Sequence, residues 1–251
     1  MFRTRFKNEI VAEFLPPSRP RKKRKLIVLC DGMPSIPRKQ PLSEFLAAKG
    51  FWVIYPRYRG AWESDGHFLE KSPHEDILDI IGDLPKELEE IGFGRRFRLS
   101  PDQIFVIGGS FGGAAAILAS LDPRVMRVIA NCPVVDWSIL DDAEKAETSK
   151  ANYAEYIREA FGNSYRLSDA NWNKLRSGTF YNPWQHRKEI TGSKLMMFHA
   201  KDDPNVPYER TREFATIIGA KLKSLSRGGH ISTDYVTRKY WADIKKFFDS
   251  V

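Results

Sequence analysis

A chain of 251 residues, 42% of them hydrophobic, can bury one sizeable core and fits a single domain spanning 1–251. No run of about 18 apolar residues occurs, and Met1-Phe2-Arg3-Thr4-Arg5-Phe6-Lys7 lacks the apolar stretch of a secretory signal, so neither a membrane span nor export is expected and a cytoplasmic setting is the default. The net charge of +8 is most concentrated in Arg19-Pro20-Arg21-Lys22-Lys23-Arg24-Lys25; without interleaved aromatics this run reads as a solvated turn, and no nucleic-acid partner is expected.

In chain order, Phe2, Phe6, Ile10, Val11 and Phe14 mark one or two edge strands. Leu26 to Cys30 is a continuous apolar run, as a strand buried on both faces requires, and it ends in Asp31-Gly32-Met33-Pro34, a loop. A short helix over Pro41 to Lys49 is stopped by Gly50, and Phe51 to Tyr55 is the next strand. A polar, glycine-bounded loop follows, from Arg57 to Gly66. Ser72-Pro73-His74-Glu75 carries the signals of a helix start: a capping serine, proline in the first turn and a glutamate that closes a capping box. Ile77, Leu78, Ile80, Ile81, Leu84, Leu88 and Ile91 give that helix an apolar face, with Pro85 as a kink.

Gln103 to Ile107 reads as a strand and Gly113 to Ala119 as a helix. Between them stands Gly108-Gly109-Ser110-Phe111-Gly112-Gly113. G-x-S-x-G in that context is the pattern of a nucleophile elbow, in which the tight turn lifts a serine hydroxyl above the sheet and aims helix amides at the same point. Val125 to Ala130 is a further strand. Residues 138–193 break the rhythm: charged helical stretches (Asp141 to Ala160, Asp169 to Leu175) surround aromatic residues, which suggests a helical lid. Trp172, Phe180, Tyr181 and Trp184 in it are candidates for the wall of a substrate pocket, or else pack the lid down. Strands at Lys194 to Phe198 and Leu222 to Leu225, and helices at Tyr208 to Ile218 and Thr233 to Phe248, complete the chain. The alternation implies an α/β fold, with a mainly parallel eight-stranded sheet and helices on both faces. The two cysteines, Cys30 and Cys132, lie in or at the end of buried strands and read as core residues.

A serine hydroxyl attacks only if a base takes its proton and an acid orients that base. Of the five histidines, only His230 lies in a loop after the last strand, and Gly228-Gly229 before it lets the backbone bring the imidazole over the sheet edge. The acid belongs after the strand ending at Phe198, where Asp202 and Asp203 are adjacent. Spacing alone does not separate them, and both also suit a turn.

At these residues the chain resembles an α/β-hydrolase, and within that superfamily the prolyl-oligopeptidase-type catalytic domain and its dienelactone-hydrolase and esterase relatives. The elbow G-x-S-x-G-G is matched by Gly108 to Gly113, and the acid loop H-G-x-x-D-x-x-V-P by His199, Asp203, Val206 and Pro207. The resemblance thus selects Asp203. The histidine loop is matched by Gly229 and His230, and R-G-x-x-x-S-x-G by Arg59, Gly60, Ser64 and Gly66. Cys132 to Trp137 is similar to a segment after the family's sixth strand. Two residues depart from the pattern. Asp31-Gly32 stands where the family has His-Gly, and Ala200 replaces a glycine. A carboxylate beside a developing oxyanion is unfavourable unless paired or turned away; Asp31 reads as a turn residue, with Arg57 or Arg59 as its candidate partner.

The resemblance implies a serine hydrolase acting on a carboxylic ester or similar acyl bond through an acyl-enzyme. Ser110 attacks, His230 relays the proton, Asp203 orients His230, and the amides of Met33 and Phe111 hold the oxyanion, with no metal or organic cofactor. The expected partner is a small ester or short peptide. Two alternatives stand beside it. One is a small peptidase, although the residues ahead of Leu26 leave no room for the propeller of an oligopeptidase. The other is a catalytically silent hydrolase fold used for binding, which the unusual Asp31 motivates.

Overall fold

The computed structural model describes residues 1–19, 23–84, 87–141 and 150–251. Strands β1 (Phe2–Phe6) and β2 (Ile10–Leu15) form an antiparallel hairpin with Phe2 opposite Phe14, and β3 (Lys25–Cys30) is the first central strand. Helix α1 (Gln40–Ala48), β4 (Phe51–Pro56) and α2 (Pro73–Asp83) follow. A two-stranded ribbon of β5 (Glu87–Glu89) and β6 (Arg96–Arg98) precedes β7 (Gln103–Gly109), α3 (Phe111–Ala119) and β8 (Val125–Asn131). The segment before the next strand carries α4 (Lys150–Phe161) and α5 (Asp169–Arg176). The chain then returns through β9 (Leu195–Ala200), α6 (Tyr208–Ile218), β10 (Lys221–Leu225), α7 (Thr233–Lys239) and α8 (Trp241–Phe248).

Eight strands form one sheet in the order β1-β2-β4-β3-β7-β8-β9-β10. Pairing is antiparallel from β1 to β4 and parallel from β4 to β10. Alternation along the strands explains the layers. Leu26, Val28, Val106 and Val128 face one way, into a core closed by Ile77, Ile80, the small residues of α3 and Phe214 of α6. Ile27, Leu29, Phe105 and Ile129 face the other, against Leu42 and Leu46 of α1, Val236 of α7, and Ile244 and Phe248 of α8. This is the α/β-hydrolase arrangement, and β3, β7, β8 and β9 end together at one edge, where such sheets hold their ligands.

Three elements differ from expectation. Helix α2 ends at Asp83 and does not run on to Ile91: Leu88 lies buried in β5 and Ile91 is exposed. Leu84 still holds helical backbone at φ −56 and ψ −30, and the proline that follows has no N–H to carry the ladder on; Pro85 itself lies outside the described residues. The helix expected from Asp141 is found only as α4; Ser138–Asp141 is a short 3-10 turn, and 142–149 lie outside the described residues, as does the centre of the basic run, 20–22. The C-terminal helix breaks at Tyr240, whose ring stacks on Phe198 at 5.3 Å.

The start of α2 carries a pH-dependent element. The amide of Ser72 donates to the Glu75 carboxylate at 3.3 Å, and the Ser72 hydroxyl meets His74 Nδ1 at 2.7 Å. Burial, with His186 adding to it, pushes the His74 imidazole from 6.5 down to about 4. Burial pushes the Asp76 carboxyl from 3.8 up to about 6, against the opposing pull of Arg59, whose amide donates to it at 2.8 Å. Stability supplied by neutral His74 is present above its unfolded pKa and lost as pH falls toward 4. Stability supplied by neutral Asp76 is present below 3.8 and lost as pH rises through 6, so the two nearly offset. His74→Gln removes one of them. Relative to wild type it is expected to gain about 2 kcal/mol between pH 7 and pH 4.5, read as a shift in the urea midpoint.

Candidate active site

β7 and α3 join at Ser110, whose backbone sits at φ 55 and ψ −122. A non-glycine residue in that region is strained and is kept there only by its surroundings. The ties are explicit: Ser110 N donates to Asn131 O at 2.9 Å, and the amides of Gly113 and Val134 both donate to Ser110 O, at 3.0 and 3.1 Å. Two glycines of the turn have packing reasons. A Cβ on Gly109 would stand 2.1 Å from Thr233 Oγ1, and one on Gly112 would stand 2.3 Å from Asp31 O. The turn at Ser110 and the loop after β3 are therefore in backbone contact.

The loop after β10 brings His230 to the loop after β9. His230 Nδ1 lies 2.9 Å from Asp203 Oδ2 and 3.1 Å from Oδ1. Asp203 Oδ1 also accepts from the amides of Asn205 at 2.9 Å and Val206 at 3.1 Å. His199 donates from Nε2 to Asp203 Oδ2 at 3.1 Å and shares that proton with Val206 O. Burial alone would push the Asp203 carboxyl up; the donors from His199, His230 and Asn205 overcome it and hold it well below the usual carboxylate range. Asp202 is elsewhere, accepting from Gly229 N at 2.9 Å. His74 sits on α2, and His186 pairs with Glu189 at 3.3 Å.

Cys132, Asp203 and His230 offer ligand atoms within 4.8 Å of one another, a spacing a metal ion could bridge. Burial, reinforced by the charge of Asp203, pushes the Cys132 thiol up to about 12, so it stays protonated. Both Asp203 oxygens already accept protein donors, and an ion would have to displace them.

The loop after β3 is knotted around Asp31. Its carboxylate accepts from Gly32 N at 3.0 Å, Ser35 Oγ at 2.8 Å and the Tyr55 hydroxyl, and pairs with Lys39 Nζ at 3.1 Å. Tyr58 donates to the Asp31 carbonyl at 3.1 Å. Lys39, and not an arginine, is the cation here. Arg57 is taken up by Glu13 at 3.2 Å and Glu63 at 3.5 Å, and Arg59 by Asp76, Glu9 and Asp79. Tyr153 of α4 donates to Met33 O at 2.9 Å. Among the described residues, the amides of Met33 and Phe111 have no protein acceptor, so both can serve a ligand.

Ser110, His230, Met33 and Phe111 line one cavity of about 670 Å³ at this sheet edge, with Asp203 beneath His230. Its aromatic wall is Trp137, Tyr153, Tyr156 and Trp172. Of the four pocket residues expected from the sequence, Trp172 alone lines the cavity. Tyr181 is buried behind Phe111, donating to its carbonyl at 2.5 Å, and Trp184 lies between Phe214 and the guanidinium of Arg210. Phe180 faces Lys174 at 5.8 Å. Trp137, Tyr153, Tyr156 and Lys39 were not expected at the site. His199 stood in the matched acid-loop pattern, the one sequence signal that pointed toward Asp203.

Comparison with known proteins now places the chain. A model of the prolyl oligopeptidase family matches residues 41–250. The chain belongs to the prolyl oligopeptidase family. Solved structures share the fold at low identity. The Pyrococcus horikoshii acylaminoacyl peptidase is 17% identical with a TM-score of 0.65, over 98% of this chain and 40% of its own. An esterase of Pyrococcus furiosus is 17% identical with a TM-score of 0.67, over 99% and 89%. Est1E of Butyrivibrio proteoclasticus, solved with ferulic acid bound, is 16% identical with a TM-score of 0.69, over 98% of both chains. The chain thus spans two fifths of the acylaminoacyl peptidase and nearly the whole length of the two esterases. Membership of the prolyl oligopeptidase family fits a hydrolase, and among the described residues no helix is long and apolar enough to cross a membrane.

Proposed function

We propose that the chain is a serine hydrolase that cleaves a carboxylic ester through a covalent acyl-enzyme. The observation that carries the reading is the pairing of His230 Nδ1 with a buried, ionised Asp203 at 2.9 Å, in a cavity that also holds Ser110 on its strained turn. Asp203 fixes the proton on Nδ1 and leaves Nε2 free as the base. No hydrogen bond joins His230 to Ser110 among the described residues; such contacts commonly tighten only with substrate in place.

The steps follow from these groups. His230 Nε2 takes the Ser110 proton as Oγ bonds to the carbonyl carbon. The resulting oxyanion accepts hydrogen bonds from the Met33 and Phe111 amides, and the positive end of α3 reinforces the second. The C–O bond to the alcohol breaks as His230 returns the proton to it. Water then repeats the sequence, its proton passing to His230 and on to Ser110, and the acid is released.

The ester preference is supported by the near full-length match to two esterases. A peptidase reading is favoured by the family's name and the acylaminoacyl peptidase neighbour. A silent, binding-only fold loses its motive, because the Asp31 charge is matched by Lys39 and three further donors. Parallel rates on short acyl esters and on aminoacyl amides separate the first two readings. Ester rates at least 100-fold above amide rates are expected; comparable amide cleavage would overturn the preference.

A further inference from the structure

Tyr153 spans two parts of the cavity. Its ring belongs to the aromatic wall, with ring centroids of Tyr156 at 5.9 Å and Trp172 at 6.3 Å and interplanar angles of 31° and 38°. All three rings line the cavity, and a planar aromatic group gains directional ring contacts at such a wall where an alkyl chain gains only from area. The Tyr153 hydroxyl meanwhile donates to the Met33 carbonyl. The Met33 amide is thereby bracketed: on one side Gly32 N is tied to Asp31 Oδ1, and on the other Tyr153 holds the carbonyl of Met33 itself.

We propose that the substrate carries an aromatic ring near its scissile carbonyl, and that Tyr153 couples recognition of that ring to the position of the Met33 oxyanion donor. Stacking of the ring restrains the Tyr153 side chain, and its hydroxyl then holds Met33 O in the orientation that directs the neighbouring amide at the oxyanion. Ring recognition at this wall therefore raises kcat as well as lowering KM. The inference rests on the serine-hydrolase reading above.

The test uses proton release from two ester pairs: methyl cinnamate against methyl hexanoate for a ring on the acyl side, and benzyl acetate against hexyl acetate for a ring on the alcohol side. Wild type is expected to favour the ring in one pair by at least 10-fold in kcat/KM, and that pair identifies the side. Tyr153→Phe keeps the ring and is expected to lower kcat roughly 5- to 10-fold with little change in KM, the effect of one lost hydrogen bond to the oxyanion loop. Trp172→Leu is the mirror case, raising KM for ring esters more than for alkyl esters. Equal rates within both pairs, or an unaltered kcat in Tyr153→Phe, would overturn the proposal. Labelling of Ser110 by a fluorophosphonate is followed alongside. Its absence in the native protein would overturn the hydrolase reading, whereas labelling without ring preference would overturn only this one.

Discussion

Ser110→Ala is expected to abolish labelling by a fluorophosphonate and to lower ester hydrolysis by roughly 10⁴-fold or more, leaving the residual rate that oxyanion donors and binding alone provide. The fold should survive. Among the described residues the Ser110 hydroxyl makes no protein hydrogen bond, and the ties that hold its strained backbone run through main-chain atoms that alanine retains. An unchanged thermal midpoint beside the lost activity would assign the effect to chemistry. Equal labelling of native protein and variant, by intact mass, would remove Ser110 from the mechanism.

Asp203→Asn is expected to cost about 10⁴-fold in kcat, for a reason visible in the hydrogen bonds. Every polar contact of the carboxylate is with a donor: Asn205 N and Val206 N at Oδ1, His199 Nε2 at Oδ2, and His230 Nδ1 at both. An asparagine amide has one acceptor and one donating group. Turned toward the two backbone amides, its NH₂ meets N–H groups that cannot become acceptors. Turned the other way, it donates to His230 Nδ1 and drives that ring's proton to Nε2, where it can no longer accept from Ser110. Because His199 and His230 hold the Asp203 carboxyl well below the usual range, loss of activity in mild acid is not expected to come from its protonation. The variant's folded state can be checked by its thermal midpoint, and the misplaced imidazole proton by nitrogen NMR of His230. Retention of more than a tenth of the wild-type kcat would exclude this role for Asp203.

The elements legible in the sequence were those with a local cause. The run Gln103 to Ile107, the glycines around Ser110 and the small residues of α3 announce strand, turn and helix within fewer than twenty positions. The order Ser110, Asp203, His230 follows because each lies just beyond its own strand. What was not legible depended on distant residues. Nothing beside Asp31 reveals that Lys39 pairs with it and Tyr55 donates to it, because Lys39 lies eight positions on at the foot of α1 and Tyr55 on a different strand. Tyr181 and Trp184 looked like pocket walls by residue type, yet Tyr181 packs behind Phe111 and Trp184 against Phe214, and neither lines the cavity. The periodicity that carried α2 on to Ile91 was fortuitous. Leu88 is buried by strand pairing with Phe97, a contact set by register and not by helical spacing.

The close packing at the elbow bears on how this protein can change over generations. A methyl group at 109 would collide with Thr233, and one at 112 with the backbone of Asp31, so a single substitution at 109 sets the Ser110 turn against α7 and one at 112 sets it against the loop after β3. Tyr156 answers to fewer constraints, being half-exposed on a helix outside the sheet. In the proposed reading, new specificities are therefore open to descent through α4 and α5, one substitution at a time, while the turn at Ser110 is inherited as a block.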